Sequence, residues 1–360
     1  MNAEILKSLE ITNAIISNKA FQRLAEKTQV VYPKNGRKET VQNRLTHSYQ
    51  VANSAEIIKE AIKLPFVEID YTFSLKNICL LHDIGHPPFG HEGAKFLNKF
   101  FKEQGLKEGF DDNNNNFVVI QKNQIPLNDY AFASLIKYPN KLYPTQRHLL
   151  KILDLAIKND IIQFEKYVKI VETPKRTIAC EIMDEADTNT YVCFDLADCY
   201  SLGLADEEPF VKILEEDKYL SHEIKEFLFN IIQAVKAKDK SLIKRAFGKL
   251  NVILNLNYEI GENLSLKPRN EELIKFRNEL YGVENNIFIN SEFVQKQKER
   301  HIQMFRKYVE WVMEGNYPSK TYKKLIEQTN DNTNRLRLIR DMVAETTDWY
   351  VFNKINELSS

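Results

Sequence analysis

The 360-residue sequence predicts an all-α protein, on three observations. Gly and Pro number only 11 each, too few turn formers for a chain of many short strands. Apolar residues recur at steps of three and four along most of the chain, the period of a helix buried on one side. No stretch of any length alternates apolar and polar residues as a half-buried strand does, and no internal repeat is present.

The elements follow in order. Residues 4–32 read as helix with one break, Ile5, Leu6, Leu9, Ile15 and Ile16 forming the apolar face. Residues 32–40, with Pro33 and Gly36, read as a turn. A helix over 44–64 opens at Arg44-Leu45-Thr46-His47-Ser48, with Val51, Ala52, Ala55, Ile58 and Ile62 on its core side. Helices are expected over 75–83 and 92–101, then 128–137 and 145–157, punctuated by Pro139 and Pro144. Between them lies Asp111-Asp112-Asn113-Asn114-Asn115-Asn116, whose composition alone reads as a solvated loop. A long helix covers 177–202. Residues 206–330 are rich in Lys, Glu and Asn on amphipathic patterns, and a last helix spans about 336–358.

Lys plus Arg and Asp plus Glu are 50 each, so overall charge argues neither for nor against nucleic acid. Apolar residues at 43% exclude a disordered chain. Cys79, Cys180, Cys193 and Cys199 form no C-x-x-C pair and lie in apolar helical contexts, as buried thiols in a reducing compartment do. No apolar run approaches the roughly 20 residues that span a bilayer. The amphipathic first residues, acidic from Glu4 onward, do not read as a signal peptide, so the expected location is the cytoplasm, with no membrane partner.

The chemistry concentrates in His82-Asp83-Ile84-Gly85-His86-Pro87-Pro88-Phe89-Gly90-His91, which holds three of the seven histidines. An adjacent His-Asp pair offers a nitrogen and a carboxylate oxygen from one turn, a donor set for a divalent metal. Pro87-Pro88 forbids further helix, and Gly85 and Gly90 let the backbone bend. His47, one helical hairpin upstream, can reach the same ion. On the long helix Asp184, Asp187, Tyr191, Asp195 and Asp198 share one face without an interspersed Lys. A bound cation would explain that acidic face; an exposed acidic stripe is the plainer alternative. His222 and His301 read as structural, and His148 is unassigned.

His47, His82-Asp83 and Asp187 together resemble the signature of the HD superfamily of metal-dependent phosphohydrolases. The likeness extends to that superfamily's deoxyguanosine triphosphate triphosphohydrolase family. It is carried by Phe21-Gln22-Arg23-Leu24, Lys27-Thr28-Gln29-Val30, the segments around His47 and His82 to His91, and Leu127-Asn128-Asp129-Tyr130-Ala131. Lys137-Tyr138-Pro139, Asp187 to Asp198 and Asp341 to Tyr350 continue it in the family's order, while 206–320 contribute little.

The resemblance implies a helical HD core over 1–205 and a C-terminal region over 206–360 whose last helix returns to the active site. It implies metal binding by His47, His82, Asp83 and Asp187, suiting Mg, Mn, Fe or a similar ion. Arg44 and Tyr191 would hold substrate phosphate, Gln29 and Asp195 the deoxyribose 3′-hydroxyl, and Tyr350 would pack on sugar or base. Lys137 would be a phosphate ligand or structural. His86 and His91 would line the α-phosphate, with His91 first choice for moving the proton. The implied reaction is hydrolysis of a deoxynucleoside triphosphate, dGTP-like, to deoxynucleoside and triphosphate. A homo-oligomer, tetramer or hexamer, and a single-stranded DNA or nucleotide effector are the implied partners.

The chain departs from the family in places. Ala94 stands where an acidic residue usually follows His91 by three positions, leaving Glu92 as the nearest carboxylate in sequence. Asn115 replaces a Gln, Val118 an Arg and Thr188 a second aspartate, and the Asn-rich run occupies a block that walls the family's site. The alternatives are a nucleotide-binding regulatory or DNA-associated protein with weak catalysis, or another HD phosphohydrolase such as a nucleotidase or alarmone hydrolase.

Overall fold

The computed structural model describes residues 3–30, 41–62, 69–165, 168–216 and 220–359, and the turn expected over 32–40 lies outside them. The described residues form an all-α protein with one two-stranded antiparallel ribbon. The helices, in order, are α1 (Ala3–Ser17), α2 (Lys19–Gln22), α3 (Arg44–Ile62), α4 (Ile69–Leu81), α5 (Gly90–Glu103), α6 (Asp112–Lys122), α7 (Asp129–Ser134), α8 (Leu149–Phe164) and α9 (Ile178–Ser201). Then come α10 (Glu208–Glu216), α11 (His222–Lys236), α12 (Lys240–Leu256), α13 (Glu271–Glu284), α14 (Glu292–Met313), α15 (Lys320–Glu327), α16 (Asn332–Ala344) and α17 (Asp348–Ser359). The ribbon pairs β1 (Tyr258–Ile260) with β2 (Leu266–Pro268), three residues each and too short to leave an alternating pattern.

The central element is α9. Thr177 caps it by accepting the Cys180 N–H, and nearly every residue on its inner side is buried. It packs against α3, α4, α12 and α13. Its first half, Ile178 to Ala186, belongs to an apolar cluster built with α1, α3, α4, α7 and α8. Its second half, Val192 to Tyr200, joins a second cluster with α11, α12 and α13. A third cluster packs α5 against α14, α16 and α17. The clusters therefore cross the boundary expected at residue 205: α9 carries one core into the next, and α5 pairs with the chain's end.

Two local readings change. The Asn-rich run is the start of α6 and not a solvated loop, with Asn114, Asn115 and Asn116 all buried. The last helix is two helices, α16 and α17, broken at 345–347. All four cysteines are free and buried.

Candidate metal and phosphate site

The His-Asp pair stands in the turn that ends α4, and α6 supplies the template for that turn. Asn116 accepts the Gly85 N–H at 2.7 Å through Oδ1 and donates to the His82 carbonyl at 2.6 Å through Nδ2. Asn115 donates to the Gly85 carbonyl at 2.7 Å. A buried turn has no water to satisfy its backbone, and side-chain amides meet that need with a donor and an acceptor each. Gly85 permits the approach, because a Cβ there would collide with Asn116 N and Asp112 O.

Three elements bring the donors together. His47 lies in the first turn of α3, His82 follows α4, and Asp187 projects from α9. His47 Nε2 is 3.0 Å and His82 Nε2 3.4 Å from the same oxygen, Asp187 Oδ1. Asp83 Oδ1 sits 3.5 Å from His82 Nε2 and 3.2 Å from His86 Nε2. The ligand atoms of His47, His82 and Asp187 all lie within 4.8 Å of one another, a span one ion can bridge.

The electrostatics suit a cation. His82 Nδ1–H donates to the Cys79 carbonyl at 2.7 Å, which turns the buried Nε2 toward the other donors. Nε2 faces two carboxylate oxygens, an arrangement that a positive charge, a proton or a metal ion, makes favourable. Burial lowers the His82 pKa, and Asp83 and Asp187 outweigh burial and raise it. Burial likewise raises Asp187, but Lys137, His82 and His47 hold its carboxyl well below the usual range. Asp83 is held low in the same way by His82, His86 and Arg44.

The acidic face of α9 is partly answered by cations from outside the helix. Lys137, just beyond α7, reaches Asp187 Oδ2 and Asp184 Oδ1 at 3.0 Å each, and Arg176 binds Asp184 at 2.7 Å. Lys137 therefore orients Asp187 from the side opposite the histidines. Asp198 accepts the Gln42 N–H at 2.7 Å.

Arg44 is 1% exposed and pairs with Asp83 through one guanidinium nitrogen. Its Nε and Nη2 are buried and have no partner. Such spare donors match the oxygens of a phosphate. Gly90, at φ +58°, makes room for them, since a Cβ would lie 2.8 Å from Arg44 Nη2. Phe89 also takes a positive φ of 63°, held by its N–H on Asp348 at 2.9 Å and by stacking on His301.

A cavity of about 440 Å³ is lined in part by Gln29, Phe89, His91, Asp112, Tyr191 and His301. Gln29 Oε1 and Asp195 Oδ2 are buried without hydrogen-bond partners. Burial, then Glu284, raises the Asp195 carboxyl well above its usual range. His86 is buried, and burial with Arg44 brings it down to about 4. His91 is exposed, its side chain 66% accessible. Glu92 lines the cavity but binds Lys95 at 2.9 Å. Tyr350 does not line this cavity. It faces a second one with Trp349 and Tyr322 and packs on Tyr308, because Asp348 fixes the start of α17 and two further residues turn about 200° around the axis.

Two residues of the site carry no functional signal of their own in the sequence. His301 reads as structural, yet it lines the cavity. Asp112 reads only as part of a biased run; its oxygen Oδ2 meets His86 Nδ1 at 3.2 Å. The signal that could have revealed it is the cap pair Asp111 and Asn114, three apart, followed by Phe117, Val119 and Ile120.

Residues 44–188 match the HD domain family, a span that brackets His47 and Asp187. A deoxyguanosinetriphosphate triphosphohydrolase-like protein of Shewanella sediminis is 28% identical over 285 residues, 66% of this chain and 63% of its own. The chain thus spans less than two thirds of that relative's length. Deoxyguanosinetriphosphate triphosphohydrolase-like protein 2 of Deinococcus radiodurans is 26% identical, covering 93% of this chain and 88% of its own. A like-named Rickettsia felis protein is 27% identical, covering 96% and 90%. No helix among the described residues is long and apolar enough to cross a membrane.

Proposed function

We propose that this chain, a member of the deoxyguanosinetriphosphate triphosphohydrolase-like family of HD-domain phosphohydrolases, hydrolyses deoxynucleoside triphosphates to deoxynucleoside and triphosphate, with dGTP-like substrates preferred. The observation that carries the reading is the convergence of buried His47 and His82 on half-buried Asp187 beside an arginine with unpaired donors.

His47, His82, Asp83 and Asp187 would hold a divalent cation, which when bound supplies Lewis-acid polarisation of the phosphate oxygens. Arg44 binds the phosphate through Nε and Nη2, and Tyr191 lines the same cavity. Gln29 Oε1 and Asp195 Oδ2, otherwise unsatisfied, take the sugar hydroxyl. The oxygen of water bonds to the α-phosphorus, and the bond from that phosphorus to the 5′-oxygen breaks. Its electron pair passes to the 5′-oxygen, which takes a proton from His91. One hydrogen of the water ends on the nucleoside and the other on the triphosphate, with His91 as relay.

Single-turnover hydrolysis with Mn²⁺ across the four deoxynucleoside triphosphates tests this. Deoxynucleoside and intact triphosphate are the expected products. Monophosphate with pyrophosphate, or tight binding without turnover of any of the four, overturns the reading.

A further inference from the structure

The question left by Ala94 is which carboxylate serves His91. Glu92 is engaged by Lys95 at 2.9 Å. Among the described residues, Asp112 is the one carboxylate within 4 Å of a His91 ring nitrogen, with Oδ2 at 3.6 Å from Nδ1. It reaches there from a different helix. Asp112 opens α6, directly after the cap Asp111, whose side chain accepts the Asn114 N–H.

Its orientation is fixed from two sides. Oδ1 accepts the Asn113 N–H at 3.1 Å and its side-chain amide at 3.3 Å, which turns Oδ2 toward the imidazoles. The α6 backbone is in turn pinned on the His82–Gly85 turn by Asn115 and Asn116. Asp112 therefore moves with the metal-binding turn. The rings of His86 and His91 meet edge to face, centroids 4.9 Å apart, so both imidazoles converge on the one carboxylate oxygen.

Resting on the triphosphohydrolase reading, we propose that Asp112 is the positioning residue of His91, taking the role of an acid absent at Ala94. Its Oδ2 accepts from Nδ1–H and fixes the ring's tautomer and rotation. Nε2, at the opposite edge of the ring, is then the nitrogen that carries the proton to the leaving 5′-oxygen. As that proton leaves Nε2, the other stays on Nδ1, donated to Asp112, and the ring becomes neutral; the hydrogen released by the attacking water restores it. The separation of 3.6 Å is long for a hydrogen bond. Such bonds are loose in ligand-free sites and tighten around substrate, and the exposed His91 side chain leaves room for that closing.

Asp112→Ser keeps a residue suited to the start of a helix but one too short to reach His91. We expect kcat to fall about 10²-fold, and KM to move less than about twofold, with the thermal midpoint retained. Ala94→Glu in the Asp112→Ser background restores at least about tenfold of the loss, because positions 91 and 94 share one helix face. A readout independent of activity is the ¹⁵N-imidazole spectrum of His91, which shows Nδ1 protonated in the parent and a shift toward the Nε2–H tautomer in Asp112→Ser. That spectrum still decides if the parent hydrolyses no deoxynucleotide, which would sink the functional reading alone. An unchanged tautomer, or no recovery with Glu at 94 in a folded double variant, overturns the proposal. So does the loss of a second bound Mn²⁺ in Asp112→Ser, which would make His86, His91 and Asp112 a cation site instead.

Discussion

At the scale of single residues, His82 decides what the site must hold. Its Nδ1 proton is committed to the Cys79 carbonyl, so Nε2 is the atom it turns toward Asp187 and Asp83. Without a metal the two carboxylates are offset by Lys137, Arg44 and a proton on His82. Filling the site should therefore stabilise the fold by mass action, raising the melting temperature as Mn²⁺ is added and lowering it again with chelator. His47→Ala removes a nitrogen 3.0 Å from the shared oxygen. Bound metal is expected to fall from about one ion per chain to near none, measured by elemental analysis of the purified variant. Full retention of metal would rule His47 out of the ligand set. The convergence of His47 and His82 was legible in the sequence because His is rare, seven in the chain, and these two sit at a distinctive spacing; Asp83 stands out beside His82, and Asp187 through the resemblance. Lys137 was less so: that it steadies Asp187 depends on how α7 lies against α9, which no local pattern records.

At the scale of elements, helices packed on one face announced themselves by period, as α3 did through Val51, Ala55 and Ile58. α6 hid because the first buried residues of the helix are asparagines that satisfy a neighbouring turn, so burial there leaves a polar signature. The helix break at 345–347 was hidden for a related reason: Lys27 donates to the Ala344 carbonyl at 3.0 Å, a tertiary partner invisible along the chain. The joint between α8 and α9 gives a test by pH. Asp160 on α8 accepts the Ile178 N–H at 2.9 Å. Burial pushes its carboxyl up to about 7, only partly offset by that N–H and by the Tyr130 hydroxyl. Between the unfolded value near 4 and about 7, the folded chain binds the extra proton, so this group's contribution to stability falls as pH rises. Asp160→Asn keeps the acceptor and removes the titration. The melting temperature of the variant minus that of the parent should grow by roughly 2 °C or more from pH 5 to pH 8. A difference that stays flat across that range would mean Asp160 is ionised in the folded protein throughout.

At the scale of the molecule, the chain's last thirty residues close a site assembled by its first two hundred. Asp348, fully buried at the start of α17, accepts the Thr28 N–H at 2.8 Å and the Phe89 N–H at 2.9 Å. Glu345 gathers Arg23 at 3.3 Å, Lys122 at 2.8 Å and the Tyr322 hydroxyl at 2.6 Å. Lys27, wholly buried, donates to the carbonyls of His86 and Ala344. These ties hold the wall of the cavity, Thr28 to Val30 and Phe89, and they touch none of His47, His82 and Asp187 directly. Wall and metal cluster should thus be separable. Asp348→Ala leaves the buried Phe89 N–H and the part-buried Thr28 N–H without this acceptor and frees Phe89 from its positive φ, at about 1–3 kcal/mol for the buried bond. Amide exchange at Thr28 and Phe89 is expected to speed up at least about tenfold, and KM to rise, because the wall that orders the substrate loosens. Mn²⁺ affinity is expected to stay within about threefold of the parent, since α3, α4 and α9, the helices that would carry the ligands, pack chiefly on one another, and α17 packs chiefly on α14. Isothermal titration beside exchange mass spectrometry reads both halves. A metal affinity that collapses along with the wall would show that the C-terminal helices build the ion site as well as cover it.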